Sequence, residues 1–302
     1  MIFFSLLAAL ALEHYRPLAR PLPHFEYFAR LAALLRERLD GGEAFHGVVA
    51  WCLGVLPLAF LVWLVGDWLA GVNFLLGWAW GVGVLYLTMG LKYYSRIAEG
   101  IADRLRTARM EEARAELQAW RGGDAEEFGP REIASATIEQ LFAHSHRQTF
   151  GVLFWFILLG PAGAVLFRLA SVLSLRWNEA SPPFSGAAVK LFHVLNWVPV
   201  RLTALTYAVA GNFEDALYCW RTQAQAWPNA EEAVAMTAGA GAMGVKLGQP
   251  LMVGGQWQER GEIGLGDEPD ADQIDSANSM IWRGLMVWMV LALLFMVAGL
   301  AA

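Results

Sequence analysis

The chain reads as an all-α, polytopic integral membrane protein with amphipathic helices on its cytoplasmic side, on three observations. Hydrophobic residues make up 57% of its 302 positions and charged residues only 17%, whereas a soluble domain carries about a quarter charged residues. Four apolar runs are each long enough to cross a bilayer, which needs about 20 helical residues to span about 30 Å of hydrocarbon. The Lys and Arg residues gather beside those runs rather than being spread evenly.

The first clear run is 48–70, interrupted only by Asp67, and the second is 72–91, with no charge. Gly71 alone separates them, which predicts a tight hairpin or a kinked break. The third, 151–173, is interrupted by Gly160 and Pro161 and carries Arg168, which is expected to reach the headgroups as an anchor. The fourth, 285–302, runs to the end of the sequence. Two further segments are ambiguous as spans. Residues 1–12 are apolar but short, and without a charged start or an A-x-A site they predict a tucked-in helix rather than a cleaved leader. Residues 189–211 hold Lys190, His193, Asn196, Pro199 and Arg201, so they can span only if those groups face protein or a wet cavity.

Five arginines in 13–47 and nine basic residues in 92–147 account for fourteen of the chain's 22 Lys and Arg. Both stretches flank the 48–91 pair, so they share a side, and the positive-inside rule makes that side cytoplasmic. Within the cytoplasmic layer 92–147, Ile97, Ile101, Leu105, Ala108, Ala113 and Leu117 recur at helical spacing and predict one surface helix over 95–121. Gly122 and Gly123 end it, and Pro130 suits the first turn of the next helix. Pro182 and Pro183 mark a loop. The acidic stretch from Gly254 to Asp275 reads as a connection, and no segment shows a convincing strand pattern.

Composition excludes some functions. A net charge of -6 offers no basic footprint for nucleic acid. Cys52 in an apolar run and Cys219 in a polar context have neither metal spacing nor the look of a disulfide framework. His144 and His146 are two apart, which sends them to different helix faces. No third ligand stands in register, so no metal-binding residue is assigned. Gly239, Gly241, Gly244 and Gly248 lack the Lys-Ser/Thr of a phosphate loop and fit close helix packing.

The most unusual stretch is Asn196 to Thr203, where Asn196 and Arg201 flank Pro199. It reads either as a cavity wall binding an anionic or amide-bearing ligand or as a kinked interfacial helix with a snorkelling Arg201. Glu139, Glu13 and Asn229 complete the ligand-binding candidates. Glu13 closes the first apolar run, and Asn229 precedes Ala230, Glu231 and Glu232 as a helix cap would. No catalytic residue is named.

Residues 95–139, 153–155, 196–203, 228–230 and 240–248 resemble, in order, motifs of the CobD/CbiB superfamily of membrane proteins. That superfamily holds the adenosylcobinamide-phosphate synthases of cobalamin biosynthesis and the AmpE proteins, linked to regulation of β-lactamase induction. Glu139 falls on the synthase pattern's glutamate, Leu153, Phe154 and Trp155 on its Leu-Phe-Trp, and Pro228, Asn229 and Ala230 on its Pro-Asn-Ala. Where the synthases carry a Glu-Asn pair and then an Asp, this chain reads Ala143, His144 and Arg147; their Asn-Thr-Leu-Asp reads Ser171, Val172, Leu173 and Ser174, and their Asp-Asp pair reads Phe192 and His193. Their Gly-Arg-Asp-Thr reads Gly122, Gly123, Asp124 and Ala125, which keeps the acid. Residues 193–202 and 158–161, and the opening that ends at Glu13, are closer to AmpE.

The resemblance therefore implies a multi-pass protein of the bacterial inner membrane, and the missing acids favour an AmpE-like regulatory or sensory protein without synthase activity. An adenosylcobinamide-phosphate synthase is the alternative, and a transporter ranks third, since no inverted repeat is visible. No cofactor is expected, ATP and Mg²⁺ entering only under the synthase alternative. The expected partners are the lipid bilayer, with room for a small anionic ligand or a corrinoid and for a protein partner.

Overall fold

The computed structural model describes residues 2–18, 23–177, 182–227, 230–253, 256–258 and 260–301. It is almost entirely helical, and among the described residues four helices are long and apolar enough to cross a membrane: Ala44–Val72, Phe74–Arg106, Pro130–Arg176 and Ala271–Ala298. The chain divides into two compact units. One holds Met1–Gly90, Arg147–Pro199 and Ala292–Ala302, the other Leu91–His146 and Val200–Leu291.

The first unit contains α1 (Ile2–Tyr15), α2 (Pro23–Leu39), α3 (Ala44–Val72), α4 (Phe74–Thr88), α8 (Gly151–Arg176) and the start of α9 (Pro182–Ala210). Helices α3, α4 and α8 pack on one another, with α1 against α4 and α2 against α3 and α8. Small and branched residues of α3, among them Ala50, Val55 and Ala59, face this core. Leu53, Phe60, Trp63 and Trp68 are left exposed on the same helix. A contiguous apolar face of that size is not tolerated in water and is what lipid requires.

The α3–α4 break falls at Asn73 rather than Gly71. Asn73 has extended backbone, and its side chain accepts a hydrogen bond from Leu75 N–H at 2.7 Å, capping α4. A side-chain cap satisfies a donor that a glycine could not. Within α8, Gly160 takes φ 64° immediately before Pro161, so the helix is kinked where proline removes a donor. At its end, Trp177 Nε1–H donates to the Ala32 carbonyl of α2 at 2.9 Å. Pro182 and Pro183 do not form a loop but open α9, where a proline at the first turn sacrifices no hydrogen bond.

The second unit contains α5 (Leu91–Arg106), α6 (Met110–Arg121), α7 (Pro130–Ser145), α10 (Phe213–Gln223), α11 (Ala230–Met243), the rest of α9 and most of α12 (Ala271–Ala301). The helix anticipated over 95–121 is two. The chain reverses at Ala108, the one non-glycine residue with positive φ (55°) among the described residues. Folding back lets Ile101 and Ala98 of α5 bury against α6, which contributes Ala113 and Leu117, and α7 covers both. Arg104 of α5 pairs with Glu116 of α6 at 2.5 Å. Gly122 (φ 75°) caps α6, and Pro130 opens α7 as anticipated.

Among the described residues four short strands, β1 (Lys246–Leu247), β2 (Leu251–Val253), β3 (Gln256–Gln258) and β4 (Ile263–Gly264), form two antiparallel pairs, β1 with β4 and β2 with β3. Two or three residues are too few for alternation to show in sequence. The first pair is held by α10 and α11, with Gln223 bonding the Gly264 N–H at 2.7 Å and the Gly264 carbonyl at 3.2 Å. Helix α12 starts at Ala271, well before its apolar run. Asp270 accepts from the N–H groups of Asp272 and Gln273 at 2.9 Å each, so the end of the anticipated connection is helix.

Helices α10 and α11 approach closely through Gly241. A Cβ there would lie 2.5 Å from the Asp215 carbonyl oxygen and 2.9 Å from the sulfur of Cys219, which is itself fully buried rather than in a polar setting. Gly241→Ala should therefore destabilise the detergent-solubilised protein by about 1–3 kcal/mol, the usual cost of overpacking a tight core. Thermal unfolding beside the parent protein checks this, and an unchanged midpoint would show that the two helices separate freely.

Candidate functional site

The most elaborate polar centre of the second unit is built on Glu139, one of the residues singled out from sequence. Helix α7 holds it on the same face as Ser135, one turn earlier, whose hydroxyl donates to Glu139 Oε1 at 3.1 Å. Arg260 meets the carboxylate with a two-pronged contact, Nη1 to Oε2 at 2.6 Å and Nη2 to Oε1 at 3.1 Å. The Gly248 N–H adds a further donor to Oε1 at 3.1 Å. Only 9% of the Glu139 side chain and 14% of that of Arg260 are exposed, so this is a buried ion pair of the kind whose rupture is costly.

The surroundings fix Arg260 in turn. Its Nε and Nη2 donate to the Gln249 carbonyl at 3.2 and 3.0 Å, and its guanidinium lies 5.4 Å from the centre of the Trp227 ring. Gly248 has φ +75°, and a Cβ there would lie 2.5 Å from the Trp227 ring, so this position needs glycine on both counts. Arg121, at the end of α6, is pushed below the usual arginine range by burial and by the nearby Arg260, with Glu139 opposing the shift. Among the described residues, the Glu139 carboxylate thus stands near two guanidiniums, bonded to that of Arg260 and close to that of Arg121.

Glu139 as placed does not fit a metal ligand, because both its oxygens already accept from Arg260, Ser135 and Gly248. Among the described residues no group of three His, Cys, Asp or Glu side chains is close enough to hold a metal ion.

The other candidates lie elsewhere. Glu13 is buried near the end of α1 in the first unit, and Asn196 is buried on the α9 stretch of that unit. Arg201 is half-buried in the second unit, five residues further along the same helix. Asn229 lies outside the described residues. The two histidines diverge as their spacing implied. His144 Nδ1–H donates to the Gln140 carbonyl at 2.9 Å and its ring lies 4.3 Å from that of Tyr94, while His146 meets Thr203 Oγ1 at 2.9 Å. Arg168 is not a surface anchor. It is 8% exposed, with its guanidinium 4.8 Å from the centre of the Phe25 ring, because α2 covers that side of α8.

A second polar network joins α5 to α12. The Ser95 hydroxyl lies 2.8 Å from Asn278 Oδ1 and 3.1 Å from Glu99 Oε1, and Asn278 Nδ2–H donates to Glu99 at 2.8 Å. A surface cleft of about 350 Å³ is lined by Arg106, Arg131, Glu268 and Asp270. Its charges are largely satisfied, since Arg106 pairs with Asp272 and Asp275, and Arg131 with Glu268.

Sequence reasoning missed Arg260, Trp227 and Arg121. Arg260 is 121 positions from Glu139 and sits in a stretch without periodicity. Gly248 was visible only as one of a run of small residues.

Comparison with known proteins places this arrangement in context. A family model described as CobD/Cbib protein matches residues 5–281. A Cobalamin biosynthesis protein CobD from Stutzerimonas stutzeri is 36% identical over 299 residues, covering 97% of each chain. Another of that name from Chromobacterium violaceum is 38% identical over 267 residues, 85% of this chain and 80% of that protein. A third, from Streptococcus sanguinis, is 26% identical over 287 residues, 91% and 90% of the two chains. No solved structure matches.

Proposed function

The chain belongs to the CobD/Cbib family, and from that membership we propose that it is an inner-membrane enzyme of cobalamin biosynthesis. In this reading it joins the carboxylate of a corrinoid, adenosylcobyric acid, to the amine of aminopropanol or its phosphate, forming an amide at the expense of ATP. The observation that supports it most is the 36% identity to a cobalamin-biosynthesis CobD protein over 97% of both chains.

The same finding overturns the AmpE-like regulatory reading. That reading weighed absent acids at a handful of aligned positions above the likeness of the whole chain. Exchanging acids for Arg147, Ser174 and Phe192, and an asparagine for Ser171, changes how charge is handled at those places. It does not by itself remove a site, and the well-kept Glu139 lies within a built polar centre.

The reactants bring a carboxylate and phosphates, which suits the guanidiniums of Arg121 and Arg260. Arginine is the appropriate cation, because its planar fork holds such groups with two parallel hydrogen bonds. Glu139 holds Arg260 in place and fixes the turn at Gly248, a positioning role. No Mg²⁺ is assigned to it. The basic stretches 13–47 and 92–147 face the cytoplasm, where nucleotide is available.

Inverted membrane vesicles carrying the protein, given adenosylcobyric acid, aminopropanol phosphate, ATP and Mg²⁺, should yield a corrinoid heavier by the condensed amino alcohol, detected by mass spectrometry. Right-side-out vesicles should yield none. Failure of both preparations would refute the activity, and product from right-side-out vesicles alone would refute the orientation.

A further inference from the structure

We propose that α8 does not cross the membrane but forms a re-entrant hairpin. It enters the bilayer from the side on which α2 lies and returns to that side, with its tip, Leu158 to Pro161, seated among lipid acyl chains. This fold-back is independent of the reaction the protein performs.

By length and composition residues 130–176 pass for a span. A straight α-helix rises about 1.5 Å per residue, which would set residues 24 positions apart about 36 Å from one another. Arg147 Nη1 instead lies 3.3 Å from Ser171 Oγ, 24 positions on, and 3.5 Å from Ser174 Oγ. An arginine side chain is far too short to bridge such a gap, so the chain folds back between them.

The reversal is at Gly160, midway between Arg147 and Ser174. Its φ of 64° and ψ of −152° lie in a region of backbone space open essentially to glycine alone. Pro161 beside it lacks the N–H that a continuing helix would use. Just past the turn the limbs touch. A Cβ on Gly163 would collide with the Trp155 carbonyl oxygen and lie 2.7 Å from the Leu159 Cβ, so glycine is needed there for close approach.

Each limb is about 13 residues, or about 20 Å, long, whereas the hydrocarbon core is about 30 Å thick. A Cβ on Gly81, halfway along α4, would lie 3.6 Å from Pro161 and 3.9 Å from Phe156, so the tip sits level with the middle of α4. Non-helical backbone at membrane depth is tolerated where protein covers it, and α4 packs on α8. Between residues 151 and 174 only Leu158 and Leu159, at 58% and 52%, are exposed. An apolar tip of that kind fits acyl chains.

The second limb ends beside the start of α3. Leu173 Cδ1 lies 3.7 Å from where a Gly54 Cβ would be, and Trp177 Nε1–H donates to the Ala32 carbonyl of α2 at 2.9 Å. At the start of α9, the Phe184 carbonyl oxygen lies 2.5 Å from where a Gly47 Cβ would be. Ala32 and Gly47 belong to the basic stretch 13–47, and Arg176 adds a cation at the same end. The positive-inside rule places such a cluster on one side, the cytoplasmic one.

The test uses the full-length protein with Cys52→Ala and Cys219→Ala, carrying one new cysteine at a time. Glu37→Cys marks the side of α2, Gly71→Cys the opposite end of α3, and Arg176→Cys the end of α8; all three positions are exposed. Each variant, shown to be folded by thermal unfolding, is treated with a membrane-impermeant maleimide in spheroplasts and in inverted vesicles. Arg176→Cys should label from the same side as Glu37→Cys, and Gly71→Cys from the other. Labelling of Arg176→Cys from the side of Gly71→Cys would overturn the hairpin. The comparison is relative, so an error in the orientation of the whole protein would move all three together and leave the hairpin standing.

Gly160→Ala gives a second readout. In a straight helix alanine is favoured over glycine and would raise the thermal unfolding midpoint. At the turn it should lower the midpoint by at least about 2 °C, because alanine does not adopt that backbone conformation without strain. A midpoint unchanged or raised would overturn the proposal, and it decides the case in which Arg176→Cys labels from neither side.

Discussion

Arg260→Met should destabilise the protein by about 3–5 kcal/mol, because it leaves the buried Glu139 carboxylate without the cation bonded to it, Arg121 being only a nearby charge. The carboxylate would retain only the Ser135 hydroxyl and the Gly248 N–H, both on Oε1, while Oε2 would lose its 2.6 Å donor. Arg260 also loses its bonds to the Gln249 carbonyl and its place on Trp227, so the β1–β4 region should loosen as well. Glu139→Gln, which keeps shape but removes charge, should cost less. The double variant should be more stable than the two losses added together predict, with a coupling of about 0.5–3 kcal/mol for groups in direct contact. Denaturant unfolding of the solubilised protein, followed by tryptophan fluorescence, gives all three values. A single-variant loss within about 0.5 kcal/mol, the range of ordinary surface substitutions, would mean that water reaches the pair.

What could be foreseen from the sequence was what is decided locally. Long apolar runs, Gly122 at a helix end and Pro130 at a helix start act through the residues themselves and their immediate neighbours. The break at Ala108 was hidden because its cause is tertiary. Each half of the 95–121 pattern is helical, and only the burial of Ala113 and Leu117 near Ile101 folds the halves together. The strands were hidden by brevity and are maintained by α10, α11 and Gln223 rather than by their own alternation.

The candidate site shows the same division. Glu139 could be picked out by its place in a motif, but Arg260 could not, since nothing in a stretch of mixed charge announces a partner 121 residues away. Arg147 was noticed as an anomaly, a cation where the synthases keep an acid. The structure adds that Ser171, Ser174 and Phe192, at other substituted positions, lie around it. Counting missing acids position by position misjudged the function because the likeness runs along the whole chain.

Synthase activity is expected to be all or none in a cell that depends on it. Fed cobyric acid, a strain lacking its own synthase cannot attach the amino alcohol, and cobalamin-dependent growth stops at that step. Family membership over residues 5–281 and whole-length likeness to CobD proteins support this chain supplying the missing reaction. Expressed in that strain, it should restore cobalamin-dependent growth to the level given by the authentic synthase gene. Absence of growth, with the protein demonstrated in the membrane and folded, would contradict the assignment.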